Sequence, residues 1–132
     1  MTHVPDDWSS LEDLPDWPEM LAVYVDVPAP RTRVVGLCGD LNLLTAPDFE
    51  QILDGQLAAL PQALVIDLTE LEFLGPDGVF VLVFGAYRAA IDGIGFCVAG
   101  ASRRVADALQ ASGLIEVLDV HDTVEDALAT YG

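Results

Sequence analysis

The stretch VIDLTELEFLGPDG, residues 65–78, decides the fold of this chain. Its first residues end an apolar run, 63–68, whose near-continuous hydrophobicity is typical of a strand covered on both faces. Its last residues, Pro76, Asp77 and Gly78, open a second apolar run that reaches Ile91 and has the composition of a buried helix. A buried strand that passes through a short loop into a buried helix predicts the centre of an α/β domain.

Upstream of this centre, the sequence predicts an antiparallel hairpin. Leu21, Val23, Val25 and Val27 alternate with more polar residues, which indicates a strand with one apolar face. Turn residues follow at 28–32, and residues 33–38 have the pattern of a second strand that pairs back on the first.

The remaining segments alternate between helical and extended patterns. Thr45 predicts a side-chain cap for a helix, with Asp48 reaching back to complete a capping box. Beyond the centre we expect a strand at 95–99, a helix at 102–112, a short edge strand at 115–118 and a last helix from 122. The predicted fold class is α/β: a mixed β-sheet with an antiparallel N-terminal hairpin, parallel βαβ crossovers and about four helices.

Charge and composition narrow the range of partners. The 132 residues carry a net charge of −17, and the five basic residues are all arginine. Because nucleic acids and anionic membranes attract basic surfaces, neither is an expected partner. Residues 1–19 hold six acids and no base, and we interpret them as a flexible acidic leader before one domain at 20–132. The first residues lack the features of a secretion signal, so the expected location is the cytoplasm.

The two cysteines, Cys38 and Cys97, each lie among apolar neighbours inside a predicted strand. This setting predicts buried, reduced thiols. A disulfide between them would require adjacent strands, which the sequence leaves open.

The residues needed for common catalytic sites are missing from the sequence. The two histidines, His3 and His121, have no obvious partner, and no spacing of His and Cys suits a metal ion. A phosphate-binding loop of the GxxxxGK type needs a lysine, and so does a phosphorelay receiver built on Asp67. We therefore expect no enzyme activity, no metal and no cofactor.

Asp77 has a structural interpretation of its own. A carboxylate at the start of a helix accepts hydrogen bonds from amides of the first turn and faces the positive end of the helix dipole. The same geometry favours any anion, including a phosphorylated side chain.

Four motifs in the expected order resemble the STAS domain, the family of anti-sigma factor antagonists. Residues 65–78 resemble the centre of that domain, and GDLNLLTA at 39–46 is similar to the family's GELDLATA stretch. SGL at 112–114 is similar to its TGL, and HDTVEDAL at 121–128 to its closing YDSLEEAL. The resemblance covers about residues 21–131.

The resemblance implies a partner-switching module without catalysis. An anti-sigma factor of the ATPase type, which is a serine kinase, phosphorylates the second serine of a DSSG loop, and phosphorylation releases the antagonist. Here the matching residues are Gly75, Pro76, Asp77 and Gly78, so Asp77 is the phosphoacceptor equivalent. The aspartate of GELD is replaced by Asn42. We expect Asn42, the four loop residues and Phe80 to bind the partner.

Several alternatives stay open at this point. Asp77 is either a permanent mimic of phosphoserine or only a helix cap, in which case the partner is bound constitutively. Phe80 and Val83 either line a docking surface or belong to the core. The domain itself is either an anti-sigma factor antagonist or a STAS subunit that docks within a transporter or a stress-signalling scaffold. The oligomeric state is undecided, and a homodimer is one of the options.

Overall fold

The computed structural model describes residues 20–131 of the chain. The predicted acidic leader, residues 1–19, lies outside the described residues.

In this described part of the chain, five strands form one sheet in the order β1-β2-β3-β4-β5. The strands are β1 (Leu21–Ala29), β2 (Thr32–Leu41), β3 (Ala63–Leu74), β4 (Gly95–Ala99) and β5 (Val120–His121). β1 and β2 pair antiparallel, and every later neighbour pair is parallel. The predicted mixed sheet with an N-terminal hairpin is confirmed, and β3 is its central strand.

Within residues 20–131, four α-helices connect or follow the strands, as predicted. They are α1 (Ala46–Ala58), α2 (Pro76–Ile91), α3 (Arg103–Ala111) and α4 (Val124–Tyr131). Two apolar clusters show how the helices cover the sheet. The larger one joins α1, α2 and α3 to one sheet face, and the smaller one joins α4 to the opposite face. β3 contributes buried residues to both clusters, which explains why its sequence is apolar on successive positions.

Three predicted boundaries are wrong. The second strand, predicted to end at residue 38, continues to Leu41. The central strand continues to Leu74, beyond the apolar run that ends at residue 68, because it keeps pairing with β2 through two register shifts. The predicted edge strand at 115–118 is a 3₁₀ turn, Ile115–Val117, closed by local hydrogen bonds. The edge strand begins later, at Val120, which pairs with Val98 of β4.

The C-terminal helix is tied to the sheet by its last described residue. The Tyr131 hydroxyl donates a hydrogen bond to Asp119 Oδ2 at 2.9 Å. Its ring covers Gly95, where a Cβ atom would lie 2.5 Å from Tyr131 Cε1. Burial and the neighbouring Asp119 raise the pKa of Tyr131 above its usual value, so the hydroxyl stays protonated and keeps donating.

The two cysteines differ in environment, and the prediction of two buried thiols is half wrong. Cys97 is fully buried, whereas Cys38 is exposed and lies outside the apolar cluster that α4 covers. β3 separates their strands. Because two strand spacings amount to about 9–10 Å and a disulfide needs Cα atoms about 4.4–6.8 Å apart, the fold excludes a bond between them.

The start of α2 approaches the ends of β2 and β3 very closely at Gly78. A Cβ atom at this position would lie 2.6 Å from Leu41 Cγ and 2.9 Å from Leu74 Cδ1. Both leucines are buried and have little room to move. Glycine at 78 is therefore a packing requirement for seating α2 on the strand ends.

We expect Gly78→Ala to lower the free energy of unfolding by about 1–3 kcal/mol, because the new methyl group overpacks a buried contact. Gly55→Ala is the matched control, since Gly55 lies in α1 and a Cβ atom there meets nothing within 4 Å. That variant should gain about 0.5–1 kcal/mol through helix propensity. Urea denaturation followed by circular dichroism measures both, and equal effects at the two positions would contradict the packing argument.

The exposure of the thiols predicts their reactivity. Burial, with a contribution from Asp119, raises the pKa of Cys97 to about 12, so this thiol is both inaccessible and protonated at neutral pH. An aromatic disulfide reagent at pH 8 should label one thiol rapidly in the native protein and the second only in denaturant. In Cys38→Ser the rapid phase should vanish, and a rapid phase that survives would assign the reactive thiol to Cys97.

Candidate functional site

Every predicted site residue lies at one end of the sheet. β2 ends at Leu41 and β3 at Leu74, and because the two strands are parallel their carboxyl ends meet at the same edge. Asn42 follows β2 directly, and the loop of Gly75 leads from β3 into α2. The structure thus brings Asn42, the residues 75–78 and Phe80 together.

Asn42 organises the turn between β2 and α1. Its side-chain Oδ1 accepts hydrogen bonds from the backbone N–H groups of Leu44 at 2.9 Å and Thr45 at 3.1 Å. An aspartate would accept the same bonds, so Asn42 keeps the turn while removing one negative charge. This bonding leaves Leu43 and Leu44 on the surface, both more than two-thirds exposed.

The predicted side-chain cap by Thr45 is wrong. Thr45 does precede α1, but its hydroxyl makes no capping bond to the helix. It donates instead to the carbonyl of Asp40 at 2.8 Å and accepts from the backbone N–H of Asn42 at 2.9 Å. Thr45 therefore fixes the Asn42 turn to the end of β2, which capping statistics do not predict.

The loop before α2 is tied to the neighbouring strand. The Gly75 N–H donates to the carbonyl of Leu41 at 2.8 Å, and the Gly75 carbonyl accepts from Val79 in the first turn of the helix. Gly75 is the N-cap residue, and Pro76 occupies the first helical position, where its missing N–H costs nothing. The helix start is thus set by Gly75 and Pro76.

Asp77 is the second residue of the helix, and the predicted capping role is wrong. Its carboxylate makes no hydrogen bond within residues 20–131, and the side chain is exposed. The remaining structural benefit is its favourable position at the positive end of the α2 dipole. The carboxylate consequently faces solvent, free to meet another molecule.

Apolar side chains surround Asp77 on the surface. Phe80 is 50% exposed and stacks on Phe84, with ring centroids 6.2 Å apart. Leu43 faces them across a trough of about 430 Å³ whose lining also includes Asp77. Val83, the other residue considered for docking, is buried in the core. Leu43 and Phe84 were missed from sequence because an apolar residue beside a core helix is usually part of the core.

This arrangement has the features of a binding surface. Among the described residues, no group of three or more His, Cys, Asp or Glu side chains is placed to hold a metal ion. No helix in residues 20–131 is both long enough and apolar enough to cross a membrane. What the site offers is an exposed carboxylate, a fixed turn and half-exposed apolar side chains, which suits contact with another protein.

Known proteins resemble this chain in sequence and share its fold. The STAS domain family matches residues 25–127. The anti-sigma-F factor antagonist RsfB of Mycobacterium tuberculosis is 30% identical over 95 residues, which cover 72% of this chain and 77% of RsfB. RsfA of the same organism, also an anti-sigma-F factor antagonist, is 38% identical over 69 residues. That match covers 52% of this chain, and it spans only about half of RsfA, 54% of its length.

A solved structure extends the comparison to the whole domain. The crystal structure of an anti-sigma factor antagonist from Mycobacterium paratuberculosis has a TM-score of 0.78 and 30% identity. The superposition covers 86% of this chain and 96% of that protein. The predicted resemblance is thereby confirmed: this chain belongs to the STAS domain family.

Proposed function

We propose that this protein is a regulator of the anti-sigma factor antagonist type and that it acts in the cytoplasm. It binds an ATPase-type anti-sigma factor and so controls sigma-factor-dependent transcription. The names of the relatives RsfA and RsfB support the partner class. The observation that carries the proposal is the exposed Asp77 carboxylate, which has no bonding partner in the described domain and is flanked by exposed Leu43 and Phe80. Asn42 and the residues 75–78 hold this surface in place.

We propose further that phosphorylation does not switch the interaction off. An anti-sigma factor kinase transfers phosphate to a serine hydroxyl, and Asp77 offers none. Its carboxylate carries about one negative charge and has two oxygens. A phosphoserine carries nearly two negative charges and has three acceptor oxygens. A single exposed charge changes the free energy of binding by only about 0.2–1 kcal/mol. This change is too small to cause the release that phosphorylation of a serine would cause. Binding is therefore constitutive, and Asp77 is part of the contact surface.

The first prediction from this proposal concerns the effect of ATP on partner binding. Wild-type protein should bind its anti-sigma factor with the same affinity in the presence and absence of Mg-ATP, because position 77 has no hydroxyl to phosphorylate. In Asp77→Ser, Mg-ATP should weaken binding, and intact-mass spectrometry should find one phosphate on the variant. Titration calorimetry against the purified ATPase-type anti-sigma factors of the same organism makes the measurement.

Asp77→Ala controls for this experiment, because it lacks both the charge and the hydroxyl and should not respond to ATP. ATP-dependent release of the wild type would refute constitutive binding. If wild type and both variants fail to bind every candidate, the anti-sigma proposal fails. The alternative, docking within a transporter or a signalling scaffold, would then take its place.

The second prediction concerns the sign of the Asp77 charge. If Asp77 contacts the partner favourably, the near-isosteric Asp77→Asn should weaken binding by up to about fivefold, or about 1 kcal/mol. Raising the salt concentration should shrink the difference, since exposed charges are screened. A phosphate mimic predicts the reverse, because removal of the charge would then tighten binding. Glu116→Gln, a change of charge on the distant 3₁₀ turn, is the control.

A further inference from the structure

A stripe of exposed apolar side chains extends along α2 well beyond the Asp77 loop. Phe80, Phe84, Tyr87 and Ile91 recur every three or four residues and therefore lie on one face of the helix. All four are at least half exposed, and Ile91 reaches 84%. Such a continuous exposed stripe is unusual for a surface helix and typical of an interaction surface.

The first two residues of the stripe, Phe80 and Phe84, line a trough between α1 and α2. The part near Asp77 has a volume of about 430 Å³, and a second part of about 270 Å³ continues along the helices to Arg88. Glu50, Val81 and Phe84 line both parts, so the trough is continuous. From Asp77 to Arg88 it follows three turns of α2, or about 16 Å.

The rim of the trough is acidic. Arg88 is the cation in its lining, and the guanidinium is already paired with Asp54 at 2.7 Å. Glu50 and Asp77 have no cationic partner among residues 20–131. An apolar floor with two unpaired carboxylates at its edge is complementary to apolar side chains flanked by basic ones.

We infer that this trough binds a short amphipathic helix of the partner, about three turns long, with basic residues along the flanks of its apolar face. The inference rests on the proposed function, because it specifies how the partner engages the same end of the domain. The walls are helices whose backbone groups are bonded internally, so an added β-strand would find no hydrogen-bonding edge here. Helix-in-groove recognition needs only side-chain contacts.

Two other possible ligands of the trough are less compatible with its acidic rim. A second copy of the chain brings its own net charge of −17, which opposes association. Residues 1–19 carry six acids and no base, so they meet the acidic rim unfavourably. A basic helix is the occupant that the charges of the trough favour.

The test uses three synthetic peptides of 15 residues and the full-length protein. The first peptide has leucines at helical spacing, flanked by lysines. The second replaces the lysines with glutamates, and the third is a scramble of the first with equal charge but no apolar face. We expect the first to bind at least about tenfold more tightly than either of the others. NMR shift changes should map its site to α1 and α2.

Two protein variants separate binding in the trough from non-specific attraction to an acidic protein. Phe84→Ser removes a 62% exposed ring and should weaken binding of the first peptide by about tenfold. The circular dichroism spectrum of the variant should match that of the wild type. Val120→Ser removes an exposed apolar side chain on β5 and should have no effect. Equal binding to wild type and Phe84→Ser, or equal binding of the scramble, would overturn the trough as the site.

The remaining outcomes decide the other parts of the inference. Equal binding of the glutamate peptide would overturn the basic chemistry of the partner. Failure of the lysine peptide to bind the wild-type protein at all would overturn the helix-in-groove mode. Because the assay contains no anti-sigma factor, these results are independent of the calorimetry with anti-sigma factors. Peptide binding without anti-sigma binding would refute the proposed function while keeping a basic amphipathic helix as the ligand.

Discussion

The close contact between the start of α2 and the ends of β2 and β3 is the constraint on which the rest of the site depends. Glycine at 78 lets the helix sit directly on Leu41 and Leu74, and the Gly75 N–H bond to Leu41 fixes the loop that precedes it. Once the helix start is set there, helical geometry assigns Gly78 to the buried side and Asp77 and Phe80 to the exposed side. The exposed carboxylate is thus a consequence of how a backbone contact orients the helix.

Strong hydrophobic periodicity made most of the fold predictable, and local competition between hydrogen bonds accounts for several errors. β3 and α2 are buried enough that their apolar runs left little choice of structure. Thr45 was expected to cap a helix, but its hydroxyl finds Asp40 and Asn42 closer at hand. Asp77 was expected to cap α2, yet Pro76 at the first helical position moves the cap to Gly75. The first error concerns which partner a hydroxyl takes, and the second concerns which residue begins the helix.

The second class of error concerns which surfaces are covered, and this is a property of the assembled layers. The apolar neighbours of Cys38 indicate a strand, but the apolar cluster under α4 includes Val34 of the same strand and not Cys38. The same limitation hid Phe84 and Leu43, which have the sequence character of core residues. Single-strand and single-helix patterns carry no information about where a neighbouring layer ends. The candidate binding surface of this domain consists largely of such residues.

The exposed apolar surface and the net charge of this protein have opposite effects on its association with other molecules. Exposed aromatic side chains along α2 favour association with any apolar surface, including that of another copy. A net charge of −17 opposes self-association, and the acidic rim of the trough also opposes acidic partners. A partner that combines apolar anchors with basic flanks meets neither obstacle. For the partner proposed here, specificity therefore arises as much from the partners that the charge repels as from the contacts that the stripe offers, so that a surface without a phosphorylatable serine can still select its partner.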